Sequence, residues 1–327
     1  MRKLIFGFRI LINLVGIFLL GPHPEKPYFD NVLPSISDQI PIDAYVSSIE
    51  SNRKIKPNNQ AKIIWADSNH LPTEYAIVYL HGFSASQMEG DPVHINIAKQ
   101  FHCNLYLARL SEHGIAGSNA LLNFTAENIW ESAKEAYAIG KKIGKKVILM
   151  STSTGGTLSL QLAANYPEIA GLVMYSPNIE INKLSASLLN MPWGLQIARL
   201  VQGSNFNNIN YTNKDYPKYW TTHYRLEATV ELQNLIKATM NKKLFEKVHQ
   251  PCLTLFYYKD DAHQDKVVKI SAIKKMFSEI STPDSLKLLQ AMPNTGNHVM
   301  ASPLASNDVV GVEKITAQFL ASKIIRQ

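Results

Sequence analysis

The chain has 327 residues, 46% of them apolar, enough to bury the core of one large domain carrying an insertion. Its 33 Lys and Arg exceed its 26 Asp and Glu, for a net charge of +7, but the basic residues are scattered as Arg53-Lys54-Ile55-Lys56, Lys141-Lys142 with Lys145-Lys146, and Lys242-Lys243. A nucleic-acid binder would gather that charge into one stripe laced with aromatics, so solvated surface is expected, nucleic acid is excluded as a partner, and attraction to an anionic membrane stays open.

Residues 1–21 form the one targeting signal. Met1-Arg2-Lys3 is a basic start, and Leu4 to Leu20 is apolar apart from Arg9 and Asn13. After Arg9 about eleven residues run without charge, closer to a secretory core than to the ~20 that span a bilayer. Leu19-Leu20-Gly21-Pro22 offers no small-x-small cleavage site, so a signal peptide and a membrane anchor both stand. Either would carry the rest of the chain out of the cytoplasm, with Arg2, Lys3 and Arg9 left inside. A buried N-terminal helix is the plain alternative.

Residues 22–60, rich in Pro, Asn and Ser, are expected to be a linker packed on a domain that occupies 61–327. From there strands and helices alternate. Ala61–Ala66, Glu74–Leu80 and Asn104–Leu110 have strand patterns, and Val93–Phe101 a helical one. Thr125–Ile143 is helical, with Thr125 as N-cap and Gly144 as stop. Val147–Met150 is a short buried strand, Gly156–Asn165 a helix and Ala170–Tyr175 another strand.

The alternation breaks at about 178–226, a stretch of short pieces and many aromatics that is expected to form a helical cap. It resumes with helix Ala228–Met240, strand Cys252–Tyr257, helix Val268–Ile280, strand Leu286–Ala291 and helix Asp308–Lys323. Such βα repeats predict an α/β fold, a mostly parallel central sheet covered by helices on both faces. Cys103 and Cys252 each open an apolar run and are expected to be buried free thiols. There is no Cys-x-x-Cys and no metal-ligand spacing, so no metal or other cofactor is expected.

Chemistry enters at Val147-Ile-Leu-Met-Ser151-Thr-Ser153-Thr-Gly155-Gly156. An apolar strand running through small-x-Ser-x-small into a helix lifts a serine off the sheet at a sharp turn. A serine alcohol needs a base to take its proton as it attacks. The same turn aims the Thr154 N–H at developing negative charge. A Ser/Thr-rich helix cap would be the bland explanation of the pattern. After the central strand, His81-Gly82-Phe83-Ser84 lets the loop fold back so that the Phe83 N–H becomes a second oxyanion donor, with His81 holding the loop rather than acting as base.

The base is expected at His298, one of ten histidines, in the Gly296-containing loop after the last strand. That loop lies at the carboxyl ends of the strands, where open α/β sheets bind ligands. Its orienting acid should follow the preceding strand, where Asp260, Asp261 and Asp265 compete. Asp265 is favoured because Val267-Val268 can pin it to the core, while the other two sit nearer the strand end. Ser…Asp…His is the chain order of the hydrolase fold.

His81-Gly82-Phe83, Arg109-Leu110-Ser111-Glu112-His113-Gly114, Ser151–Gly156, Asp265-x-Val-Val and Gly296-x-His298 together resemble the α/β-hydrolase superfamily, in particular its group of monoacylglycerol lipases, carboxylesterases and serine aminopeptidases. The Arg109–Gly114 stretch is similar to that group's Pro-Gly-His-Gly loop, with Ser and Glu in place of Pro and Gly. The resemblance implies a serine hydrolase acting on small-molecule or lipid esters through an acyl-enzyme. Acyl transfer or aminopeptidase action on the same triad, and a non-catalytic binding protein, are the competing functions. Trp193, Phe206, Tyr211, Tyr216, Tyr219, Trp220 and Tyr224 are candidate walls of an acyl pocket, or else the cap's own small core.

Overall fold

A computed structural model describes residues 15–51 and 53–325. Its strands are β1 (Lys62–Ile64), β2 (Thr73–Leu80), β3 (Asn104–Leu107), β4 (Gly144–Thr152), β5 (Gly171–Tyr175), β6 (Phe206–Asn208), β7 (His223–Arg225), β8 (Cys252–Phe256) and β9 (Lys287–Ala291). Seven form one sheet in the order β1-β3-β2-β4-β5-β8-β9, with β1 antiparallel and all other pairs parallel. β6 and β7 make a separate antiparallel ribbon.

The longer helices are α1 (Ile42–Ser51), α2 (Val93–Gln100), α3 (Ala126–Ile143), α4 (Thr154–Asn165), α5 (Gly194–Gln202), α6 (Leu226–Thr239), α7 (Ile270–Glu279) and α8 (Val309–Phe319). The period of two along each strand divides the core. Ala76, Val78, Leu80, Leu149, Leu172 and Met174 face a cluster with Ile129 and Trp130 of α3, Leu158 of α4, Leu235 of α6 and Ile273 of α7. Ile77, Tyr79, Ile148, Met150, Val173 and Tyr175 face the other, with Ile97 of α2 and Val312 of α8. The mostly parallel sheet covered on both faces is therefore present as expected.

The local signals hold at α3, where the Thr125 hydroxyl accepts the Asn128 N–H at 3.1 Å. Gly144 ends the helix without a left-handed cap: its backbone is extended (φ −158°), and β4 starts on it. Both cysteines are buried free thiols.

Two stretches differ from expectation. The linker contains helix α1, whose Ile42, Tyr45, Val46 and Ile49 share one face and pack on the larger cluster. Before it, Trp130 Nε1 donates to the Asp30 carbonyl at 2.7 Å, Phe29 meets the same indole edge-on, and the buried Lys134 ammonium donates to the Val32 carbonyl at 2.9 Å. The expected signal or anchor segment falls mostly on residues 1–14, outside the described residues. Residues 15–19 are helical, and the Trp193 indole donates to the Ile17 carbonyl. Among the described residues no helix is long and apolar enough to cross a membrane.

Trp130 fixes both α3 and the leading segment. Replacing it with alanine should cost about 3–5 kcal/mol, read as a fall in thermal midpoint, and Trp130→Phe should lose only part of that.

Candidate active site

Ser153 stands between β4 and α4 with φ 55° and ψ −117°, a region that a non-glycine residue enters only when its surroundings force it. Its N–H donates to Tyr175 O at 2.9 Å, and its carbonyl accepts Gly156 N–H at 2.8 Å and Asn178 N–H at 2.9 Å. A Cβ on Gly155 would lie 1.9 Å from the Leu80 carbonyl oxygen, so the end of β2 and the start of α4 touch backbone to backbone. Only glycine permits that approach. Ser151, where the usual motif has glycine, fits fully buried and points its hydroxyl at Val173 O.

The loop after β2 is held by two histidines. His81 Nε2 accepts the Leu110 N–H at 3.1 Å, so its Nδ1 carries the proton and donates to Gly82 O at 2.8 Å. That carbonyl and the Phe83 N–H belong to one peptide plane, and fixing one aims the other. His113 does the same next door, accepting the Ser84 N–H at 2.9 Å and donating to Ser111 O at 2.7 Å. Among the described residues, neither the Phe83 N–H nor the Thr154 N–H has a protein acceptor. Both residues line the cavity that contains Ser153.

His298 lies on that cavity too. Its loop is folded by Thr295, whose hydroxyl donates to Met292 O and whose carbonyl accepts from Asn307 N–H, and by Gly296 at φ +69°. His298 Nδ1 meets Asp265 Oδ2 at 2.6 Å. Asp265 Oδ1 accepts the N–H groups of Val267 at 2.8 Å and Val268 at 3.0 Å; only Val268 packs into the core, while Val267 is half exposed, so backbone bonds hold the acid rather than the expected pair of valine side chains. Asp260 instead binds the His263 ring, and Asp261 accepts the Tyr258 hydroxyl, both at the surface. Of the three candidate acids, only Asp265 is brought to His298.

Burial alone would push His298 down, but the Asp265 carboxylate and its hydrogen bond raise the imidazole above its ordinary value. Asp265 is likewise opposed by burial, yet the imidazole and two backbone N–H groups hold its carboxyl below the usual range. With Nδ1 donating to Asp265, Nε2 is the atom left to accept a proton.

The cavity measures about 450 Å³. Tyr216, Trp220 and Tyr224 line it together with Leu189, Ile197 and Leu226. The other four expected aromatics serve elsewhere. Trp193 holds residues 17–22, Phe206 stacks on His223, Tyr211 stacks on Tyr216, and Tyr219 packs beside Trp220 in a small side cluster.

The sequence did not single out Glu89. Its carboxyl is 2% exposed, accepts the Gly82 N–H at 2.5 Å and lines the same cavity. Burial pushes it up to about 7, against the Gly82 hydrogen bond and the nearby imidazole. No short motif marks it, because its contact is made across the loop.

A family model described as "Serine aminopeptidase, S33" matches residues 132–292. A thermostable monoacylglycerol lipase of Bacillus sp. (strain H-257) is 25% identical over 190 residues, 57% of this chain and 70% of that one. A structure from work on the metagenome-derived lipolytic enzymes LipS and LipT superposes with a TM-score of 0.66 at 15% identity, covering 81% of this chain and 98% of that one. The monoacylglycerol lipase of Paleococcus ferrophilus gives 0.57 at 16% identity, covering 80% and 98%. This chain has the α/β-hydrolase fold.

The Gly155–Leu80 contact can be tested directly. Gly155→Ala should destabilise the fold by roughly 1–3 kcal/mol, and thermal melts should show the loss even where the variant still purifies.

Proposed function

We propose that this α/β-hydrolase cleaves carboxylic esters through an acyl-enzyme on Ser153. The observation that carries the proposal is the His298–Asp265 pair, 2.6 Å apart, opening onto the same cavity as the strained Ser153 turn. His298 Nε2 takes the hydroxyl proton as Ser153 Oγ attacks the carbonyl carbon. The Phe83 and Thr154 N–H groups, without an acceptor among the described residues, receive the oxyanion. The tetrahedral intermediate collapses as the imidazolium gives its proton to the leaving alcohol. Water, deprotonated by the same imidazole, then releases the acid.

The apolar walls around Trp220, Tyr224 and Leu226 suit the acyl part of an ester. Similarity to a monoacylglycerol lipase and to lipolytic enzymes points the same way.

A fluorophosphonate probe should label the wild type and fail to label Ser153→Ala. That variant should lose roughly 10⁴–10⁶-fold in kcat on p-nitrophenyl esters. Undiminished turnover by Ser153→Ala would sink the proposal, and faster cleavage of aminoacyl anilides than of esters would overturn its ester part.

Because the imidazole must be neutral to accept a proton and Asp265 holds it above its ordinary value, kcat/KM should rise through a limb lying above about pH 6.5. Asp265→Asn should lower kcat by about 10⁴-fold and move that limb to lower pH. A pH–rate series on both proteins checks the sign.

A further inference from the structure

Glu89 sits where a carboxyl needs a reason. The turn that bears it, Gln87–Gly90, is capped by the Ser86 hydroxyl and tied to α2 by His94 Nε2, which donates to Gln87 O at 2.8 Å. The turn delivers the carboxyl to the Gly82 N–H. The space where a Gly82 side chain would begin is bounded by Glu89 Oε2 and Ser153 Cβ, each 2.9 Å away. Carboxyl, nucleophile and oxyanion loop therefore share one small volume.

With Glu89 on its N–H and His81 on its carbonyl, Gly82 is fixed from both sides. The next amide is that of Phe83. We propose that Glu89 is a positioning residue of this site: its carboxyl fixes the loop that presents the Phe83 N–H and places a second negative charge where His298 feels it. The proposal rests on the esterase assignment made above.

Glutamine would accept one N–H equally well at a smaller desolvation cost. What a carboxyl adds is charge, and the groups bearing on it are few. His298, on the loop after β9 and paired with Asp265, lines the same cavity as Glu89. Tyr79 of β2 and Tyr216 of the insertion also face it, and burial first and Glu89 second keep both phenols protonated. Asp91 follows on the same stretch of chain and is itself raised by burial, against Lys62. The imidazole is thus the one partner whose charge changes near neutral pH.

Below about pH 7 Glu89 is neutral; above it, the carboxylate favours the protonated imidazole. Removing the charge lets His298 lose its proton at lower pH.

The experiment compares wild type, Glu89→Gln and Glu89→Ala by kcat and KM for p-nitrophenyl butyrate across pH, with fluorophosphonate labelling alongside. In Glu89→Gln the acid limb of kcat/KM should move down by roughly 0.5–1 pH unit. Glu89→Ala should lose about 10–100-fold in kcat with KM within about threefold, and Glu89→Gln should recover most of that loss because it keeps the acceptor. An unmoved limb in Glu89→Gln overturns the proposal, as does wild-type kcat in Glu89→Ala. If Glu89→Ala does not fold, the limb of Glu89→Gln decides alone. Wild type that resists the fluorophosphonate would instead defeat the esterase assignment, a separate and recognisable result.

Discussion

The site hangs on the contact between the Leu80 carbonyl and Gly155. A side chain at position 155 would start 1.9 Å from that oxygen, so the end of β2 and the first turn of α4 can meet only if residue 155 has none. Phe83 and Thr154, which line the cavity and whose amides have no acceptor among the described residues, come one from each of these segments. Their separation is set by backbone atoms rather than by flexible side chains, which is the pre-organisation that oxyanion stabilisation requires. The strained torsions of Ser153 belong to the same constraint. They are held by its bonds to Tyr175, Gly156 and Asn178, at a typical cost of about 1–3 kcal/mol.

Around this frame, burial divides the histidines into two kinds. Desolvation lowers His81 far below its ordinary value and His113 to about 4, so both stay neutral and act as fixed donor–acceptor struts. His298 is buried as well, but Asp265 reverses the outcome and raises it. Three similar side chains within one rim thus do different work because one has a carboxylate and the others have backbone partners. The struts are themselves supported at a distance: Arg109 pairs with Glu50 of α1 at 2.8 Å and donates to His113 O at 3.2 Å. Helix α1 is in this way coupled to the loop that bears Phe83, the proposed oxyanion donor.

The sheet was legible because each central strand is apolar throughout and its alternate residues serve opposite faces. Ser153, His298 and the two amide positions were legible because strand-to-helix and strand-to-loop turns leave short local patterns. Asp265 could be preferred over Asp260 and Asp261 from Val267-Val268, but of that pair only Val268 is buried, and the acid is held by two backbone N–H bonds that the side chains do not announce. Helix α1 was hidden by a polar, proline-rich context, although Ile42, Tyr45, Val46 and Ile49 carry helical spacing. Glu89 could not be found this way. Gly82 is met by the same connection folding back on itself and His298 lies on another loop, and a carboxyl in a run of small and polar residues usually means surface. The aromatic residues of the insertion were only half decipherable, since composition does not say which rings face inward.

That insertion is tied to the site at both ends. Where it begins, the Asn178 N–H binds Ser153 O and the Asn178 carbonyl accepts the Thr157 hydroxyl at 2.6 Å. Where it ends, the Thr221 N–H donates to Ser84 O at 2.6 Å, and Lys56 Nζ caps the carbonyls of Pro217 and Trp220, each at 3.1 Å. One anchor is Ser153, the proposed nucleophile, and the other is the loop that bears Phe83. Shifting the insertion as a body would pull on the backbone that holds the Phe83 and Thr154 amides. Just inside the first anchor Asn182 is tied to the Asp265 loop, its N–H to Val267 O at 2.9 Å and its side-chain amide to Asp265 O at 3.1 Å, whereas α5, with its exposed Leu200 and Val201, makes no hydrogen bond to these loops among the described residues. Change in the middle of the insertion can therefore reshape the cavity wall while the anchors keep the reacting geometry.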